Sequence, residues 1–413
     1  MINIYIQFLT LCSGLLVNFF IPILFGLQEY GLFIKANILV FLFHKFTDVV
    51  SEPLISNVDK RILLPVSMSI GLFITLLFLI VDCFFSAGSP WLLISMIWSS
   101  CVLLTMIAQK QLFWVLVYLC LFVIIFLILL GAITLELTHL TITNVLGITN
   151  LLPSTFCLFV LISNRKLELS FNNIFSNFWV MLKLIPRLFS LTLVNNLFTN
   201  ILPFYLSFIF SPHLLGLFRV QVSIVQSVIV IFPIHSKVIS EYLREPNLKA
   251  NLINQTLCIS LNYFHFIALI GYIFVGIFEN QIDFAQVFII LPIMHASMML
   301  ERYLLGSSKN NQLIIINLVV AFFSCIFVLK VHSIAQMMLL YASGISLYLF
   351  LLVCNMGQLK FKNLLLALAV MTPLIIYYSN FSGMLGAVFL LMASIMVLIF
   401  MPVNKQSLAL IRR

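Results

Sequence analysis

Runs of roughly 20 apolar residues, separated by short polar breaks, recur from one end of the chain to the other. A helix needs about that many residues to cross the hydrocarbon of a bilayer. By this measure about fourteen spans are expected, at 3–25, 31–53, 63–83, 89–108, 112–132, 141–163, 188–210, 216–236, 252–277, 284–303, 311–329, 333–354, 363–379 and 384–402. Each is expected to be a helix, because lipid offers no partner to an unpaired backbone group. The runs are continuous rather than alternating, which excludes a β-barrel. Composition agrees: 63% of the 413 residues are hydrophobic and 8% are charged, too few to clothe a soluble protein of this length. The fold class is therefore an all-α polytopic membrane protein of 12–14 transmembrane helices.

Charge placement supports that span count. With the N-terminus inside, the inward loops carry Lys60, Arg61, Lys110, Arg165, Lys166, Lys183, Arg187, Lys237, Arg244, Lys249, Arg302, Lys309, Lys360 and Lys362, and the tail adds Lys405, Arg412 and Arg413. The outward loops carry Lys330 alone. A missed or invented span would scramble this asymmetry, so both termini are expected to be cytoplasmic. The net charge of +9 is thereby topological, and a nucleic-acid partner is not expected. Met1 to Tyr5 has no basic n-region, so the first apolar run reads as a retained span. The eight cysteines lie in or beside apolar segments with no CxxC pair, which argues for buried thiols and against a metal site. No P-loop or acyl-transfer constellation is present, and no cofactor is expected.

The segment 164–187 has basic residues at both ends with Phe, Trp and Met between them. It reads as an interfacial linker helix joining two halves. The expected organisation is an N-terminal lobe at 1–163, the linker at 164–187, a C-terminal lobe at 188–354, and a helix pair with a basic tail at 355–413. The openings of the two halves match. "NFFIPILFGLQEYGLFIKANILV" and "TNILPFYLSFIFSPHLLGLFRVQVSIV" each carry an Asn, then Pro22 or Pro203, a short turn, and Gly-Leu-Phe from Gly31 or Gly216. Lys35 and Arg219 follow at once. Transporters often place the substrate path between such repeats.

Polar residues inside the spans supply the candidate site. In "FLFHKFTDVVSEP", His44, Lys45, Asp48 and Glu52 fall near one helical face with Asn37 and Phe41. An ionised group at the bilayer centre costs roughly 2.5–3.5 kcal/mol on insertion scales. Pairing within the helix or snorkelling inward would lower that cost and make the cluster structural. The alternative is a stripe facing water, with Asp48, Glu52 or His44 coupling ion movement. Lys35 and Arg219 lie near outward ends, either snorkelling or forming a cationic wall suited to a diphosphate or acidic sugar. Arg219 shares a face with Ser223 and Gln226. Asn18 in the first span, with Asn195, Asn196 and Asn200 in the seventh, offers either interhelical hydrogen bonds or a polar lining for sugar. Pro22, Pro203, Pro233, Pro292 and Pro373 could kink helices. His265 and His295 are expected to be packed.

"LQEYGLF", "HKFTDVV" and "HLLGLFRVQVSIVQSVIVIFP" resemble the Wzx-type O-antigen and polysaccharide flippases of the multidrug/oligosaccharidyl-lipid/polysaccharide exporter superfamily. Tyr30, Gly31, Asp48, Gly216 and Pro233 hold the matching positions, while Val49, Val50 and Ser51 stand where the family carries an aromatic-Gly pair. The resemblance implies a two-lobed bundle around a central cavity in a bacterial inner membrane. It implies an undecaprenyl-diphosphate-linked oligosaccharide as cargo, moved by alternating access. Lys35, Lys45, Arg219, Gln226, Asn18, Asn195, Asn196 and Asn200 would line the cavity. Asp48, Glu52 and His44 would couple H+ or Na+. A polysaccharide polymerase and a chain-length regulator would be partners beside the membrane lipids. Rival expectations are a polymerase or ligase, a drug or cation antiporter, and a lipid II flippase. The short outward loops count against a polymerase, whose families place a large loop there.

Overall fold

A computed structural model describes residues 2–49, 54, 58–85, 88–163, 171–191, 202–230, 249–278, 281–306, 310–329, 331–356 and 359–402. Among the described residues every regular element is helical, and eleven helices are long and apolar enough to cross a membrane. The chain forms two compact units, Met1–Val220 and Gln221–Arg413.

The first unit opens with α1 (Ile2–Leu15), a π-helical turn (Leu16–Phe20) and α2 (Ile21–Val49). The apolar stretch Phe8–Thr47 within them is 40 residues long, about twice what one crossing needs. Its break is Gly26, at φ +83° and ψ 154°. Only glycine adopts that backbone without strain, so the first two spans separate there, with the expected loop "LQEY" folded into the start of the second helix. Four more spanning helices follow: α3 (Leu63–Phe85), α4 (Pro90–Ala108), α5 (Leu112–Thr134) and α6 (Ile142–Ser163). At 23 residues, α5 is about 35 Å long, a full crossing. Ser89 caps α4 by accepting from the Leu92 amide, with Pro90 at the first helical position.

α7 (Phe171–Leu191) overlaps the linker expected at 164–187 and runs a few residues beyond it. It packs on α3 and α2 through buried Met181 and Ile185, with Phe178 edge-on to Phe73 at 6.1 Å. Phe175 and Trp179 remain exposed, as do Asn173 and Lys183, and Asn177 is half-buried. That two-sided exposure suits a helix lying at the membrane surface. The short α8 (Leu202–Leu206) touches α2, and α9 (Pro212–Val230) begins in the first unit. Residues 192–201 of the expected seventh span lie outside the described residues.

The second unit contains α10 (Lys249–Gly271) with a π-helical extension (Tyr272–Phe278), α11 (Ile282–Gly306), α12 (Asn310–Val328), α13 (Ile334–Cys354), α14 (Lys362–Ser379) and α15 (Gly383–Phe400). α11 packs on α10, α13 and α14. Its polar residues are used as fasteners: His295 bonds Ser260 of α10, and the Gln286 amide donates to Ser379 and Asn380 at the end of α14. Asn262 of α10 donates to the Met401 carbonyl at 2.8 Å. His265, 4% exposed, is a packed residue bonded to the Leu261 carbonyl. In a medium without water each such group needs a protein partner.

Candidate functional site

The candidate site is built on the second half of α2 and the start of α9, both in the first unit. Gly31 and Gly216, the glycines of the two Gly-Leu-Phe tripeptides, face each other where these helices cross. A Cβ at Gly31 would overlap the Pro212 carbonyl. One at Gly216 would stand 2.5 Å from the Leu27 carbonyl oxygen and 3.4 Å from the Gly31 Cα. The backbones are therefore in direct contact, an approach that only glycine permits.

Arg219 lies one turn along α9 from that crossing. Its guanidinium sits over the Phe41 ring, 5.7 Å from the centroid, and meets the buried Tyr30 hydroxyl. Phe41 in turn packs edge-on to Phe33, and Phe33 stacks on Tyr30. Arg219 is half-buried, held by its plane against an aromatic face. Sequence spacing placed Arg219 near Ser223 and Gln226; its aromatic seat on α2 could not be read from spacing.

The other expected site residues divide. Lys45 is half-buried on α2, four residues along from Phe41 on the same face, while Lys35 is exposed. His44 turns to α4, where its Nε2 bonds Ser100 Oγ at 2.9 Å. Asn37 also faces α4: its side-chain oxygen accepts from the Ser89 amide at 3.0 Å, and its nitrogen donates to the Phe33 carbonyl. So α2 has one face fastened to α4 and another carrying Phe41 and Lys45. Asn18 lies in the π-helical turn and donates to the Gly14 carbonyl at 2.8 Å. Asp48 falls in the last turn of α2 and Gln226 within α9, both with side chains outside the described set. Glu52, Asn195, Asn196 and Asn200 lie outside the described residues.

The His44–Ser100 bond supports a measurement. Ser100→Ala should lower stability by about 0.6 kcal/mol, the mean for hydrogen bonds between membrane helices, read as a lower melting point in detergent. Unchanged melting would show that this bond does not fasten α2 to α4.

One carboxylate was not singled out from the sequence. Glu301, near the C-terminal end of α11, sits beside the Tyr348 hydroxyl, which Asn317 also approaches. Tyr348 and Asn317 are 3% and 1% exposed, so Glu301 reaches into the protein. Its neighbour Arg302 made the segment read as a loop edge. A carboxylate within the 284–303 span was the available signal.

Comparisons with known proteins add a fold. No protein-family model matches the sequence, and no curated protein matches it. Among solved structures, the lipid II flippase MurJ in an inward closed conformation matches with a TM-score of 0.65 at 16% identity. The match covers 99% of this chain and 98% of that one. The chain thus has a MurJ-like fold over its full length.

Proposed function

We propose that this chain is a flippase for a polyprenyl-diphosphate-linked glycan, a transporter rather than an enzyme, with an undecaprenyl-diphosphate-linked O-antigen or polysaccharide repeat unit as cargo. The observation that carries the reading is the fold, which end to end is that of a protein moving a lipid-linked cargo. The half-buried Arg219 and Lys45 supply cations where a diphosphate head group would need them inside a bilayer. The lipid tail would stay in the membrane while the head group crosses. Ion coupling by Asp48, Glu52 and His44 belongs to this proposal, with H+ or Na+ as driver. The inner membrane of a bacterium, with both termini cytoplasmic, is the setting that the charge asymmetry favours.

Lipid II is the second reading, favoured by what the structural neighbour carries. Both have a polyprenyl diphosphate and differ in the sugar. The test is deletion of the gene followed by analysis of lipid-linked glycans on each leaflet. Repeat units accumulating on the cytoplasmic leaflet, cleared by the wild-type chain, establish the first reading. Accumulated lipid II establishes the second. Repeat units that are flipped but not polymerised would replace both with a polymerase.

A further inference from the structure

The apolar stretches of α3, α4 and α5 have limits at Leu63, Ala108 and Leu112. Successive spans alternate in direction, so these three limits share one end of the first unit. Residues two or three positions beyond them stand at the level of the lipid head groups. Lys60, Arg61 and Lys110 are those residues, and all three are exposed.

The two turns that carry them are bonded to each other. Gln111, 8% exposed, donates through Nε2 to Gln109 Oε1 at 3.0 Å, and Gln109 Nε2 donates to the Lys60 carbonyl at 3.1 Å. Asp59 is the carboxylate beside them, and its Oδ1 accepts the Arg61 amide at 2.9 Å, shaping the turn ahead of α3. Lys110 holds an unusual backbone position. Bonds from the Gln111 amide to the Met106 carbonyl and from the Lys110 amide to the Ile107 carbonyl end α4 in a Schellman turn. Lys110 takes its left-handed place, at φ +58°, where glycine is the unstrained choice. The dipole of α4 favours a cation near its C-terminus. Yet its last turn, where a lysine would bear no strain, holds no basic residue. Strain kept at a charged side chain points to a use for that charge where it stands.

We propose that Lys60, Arg61 and Lys110 form a binding site for the phosphate of an anionic phospholipid. The site goes beyond the flippase reading and does not depend on it. Arg61 brings a planar fork suited to phosphate oxygens, and the two lysines bring point charges. A lipid presents its phosphate at the depth where these side chains stand. Ile107 and Phe113, exposed on either side of Lys110, stand where its acyl chains begin. An acidic protein segment would meet the charge but has no use for that apolar flank. Basic pockets between spanning helices hold such head groups.

The test is the melting temperature of the full chain in a neutral detergent, with and without added phosphatidylglycerol. Phosphatidylcholine of the same chains and glycerol phosphate, the head group without its tails, are parallel arms. Phosphatidylglycerol should raise the melting temperature by about 4 °C, and the other two by less than about 1 °C. Lys60→Gln/Lys110→Gln should remove at least half of that shift. Lys360→Gln, at an exposed lysine of the second unit, should leave it whole. Lys110→Gly separates the site from the fold. It relieves the left-handed strain, so the lipid-free protein should melt no lower than the wild type while the lipid shift falls. Equal shifts in the patch and Lys360 variants would reduce the effect to net charge and overturn the site. A glycerol phosphate shift as large as that of the lipid would give the patch to a soluble phosphate. Stabilisation by polyglutamate and not by lipid would give it to a protein partner. No readout involves cargo, so the outcome holds whichever way the flippase reading falls.

Discussion

Arg219→Ala should reduce the rate of cargo transfer about 30- to 100-fold while the protein still folds and inserts, because a charge-assisted contact to a phosphate is worth about 2–3 kcal/mol in a site away from water. Arg219 is half-buried, over Phe41 and against the buried Tyr30 hydroxyl, so the substitution also removes a partner of that hydroxyl and the rate is read per folded protein. Arg219→Lys keeps the charge but loses the planar fork and the stacking, and should recover only part of the rate. The measurement is the initial rate at which lipid-linked glycan appears in the outer leaflet of proteoliposomes, normalised to folded protein. An Ala variant that keeps more than half the wild-type rate would show that Arg219 serves helix packing and not cargo.

The second large effect concerns folding. Gly147 of α6 lies against the indole of Trp91 at the start of α4; a Cβ there would stand 3.0 Å from Cδ1 and 3.2 Å from Cε2, with Nε1 closer still. These two helices form an extensive pair within the first unit. Gly147→Leu should therefore displace the partly exposed Trp91 indole or push the helices apart, at a cost of about 1–3 kcal/mol, as for added methylenes in a packed core. The expected result is at least a tenfold fall in folded protein recovered in mild detergent, read by size-exclusion chromatography. Gly131, whose added Cβ would meet nothing, is the control: Gly131→Ala should leave recovery unchanged. Equal recovery of the two variants would refute close packing at Trp91.

Much of the fold was legible before any coordinates. The start of α3, expected at 63, is at Leu63, and α13, expected at 333–354, is Ile334–Cys354. Such agreement follows from a single rule: hydrocarbon admits only helices with satisfied backbones, so apolar run length sets element length. The prediction departs where that rule is silent. It placed a loop between spans one and two, whereas the chain breaks at one residue, Gly26, and resumes its helix at once. Run length does not report backbone torsion.

The candidate site was legible as residue types and not as partners. Periodicity put Asn37, Phe41, His44 and Lys45 near one face of a helix. The structure gives that helix two duties: Asn37 and His44 bond Ser89 and Ser100 of α4, while Phe41 receives Arg219 from α9. Residues three and four apart diverge by tens of degrees around the axis, enough to meet different neighbours, and only the packing says which. The repeated Gly-Leu-Phe shows the same division. Hydropathy along the chain was enough to make it a many-span helical protein, because the bilayer reads each segment on its own. That Gly31 touches Gly216, some 185 residues away, depends on contacts between helices. In lipid these rest on shape and on polar pairing rather than on apolarity, and one chain's sequence does not display them.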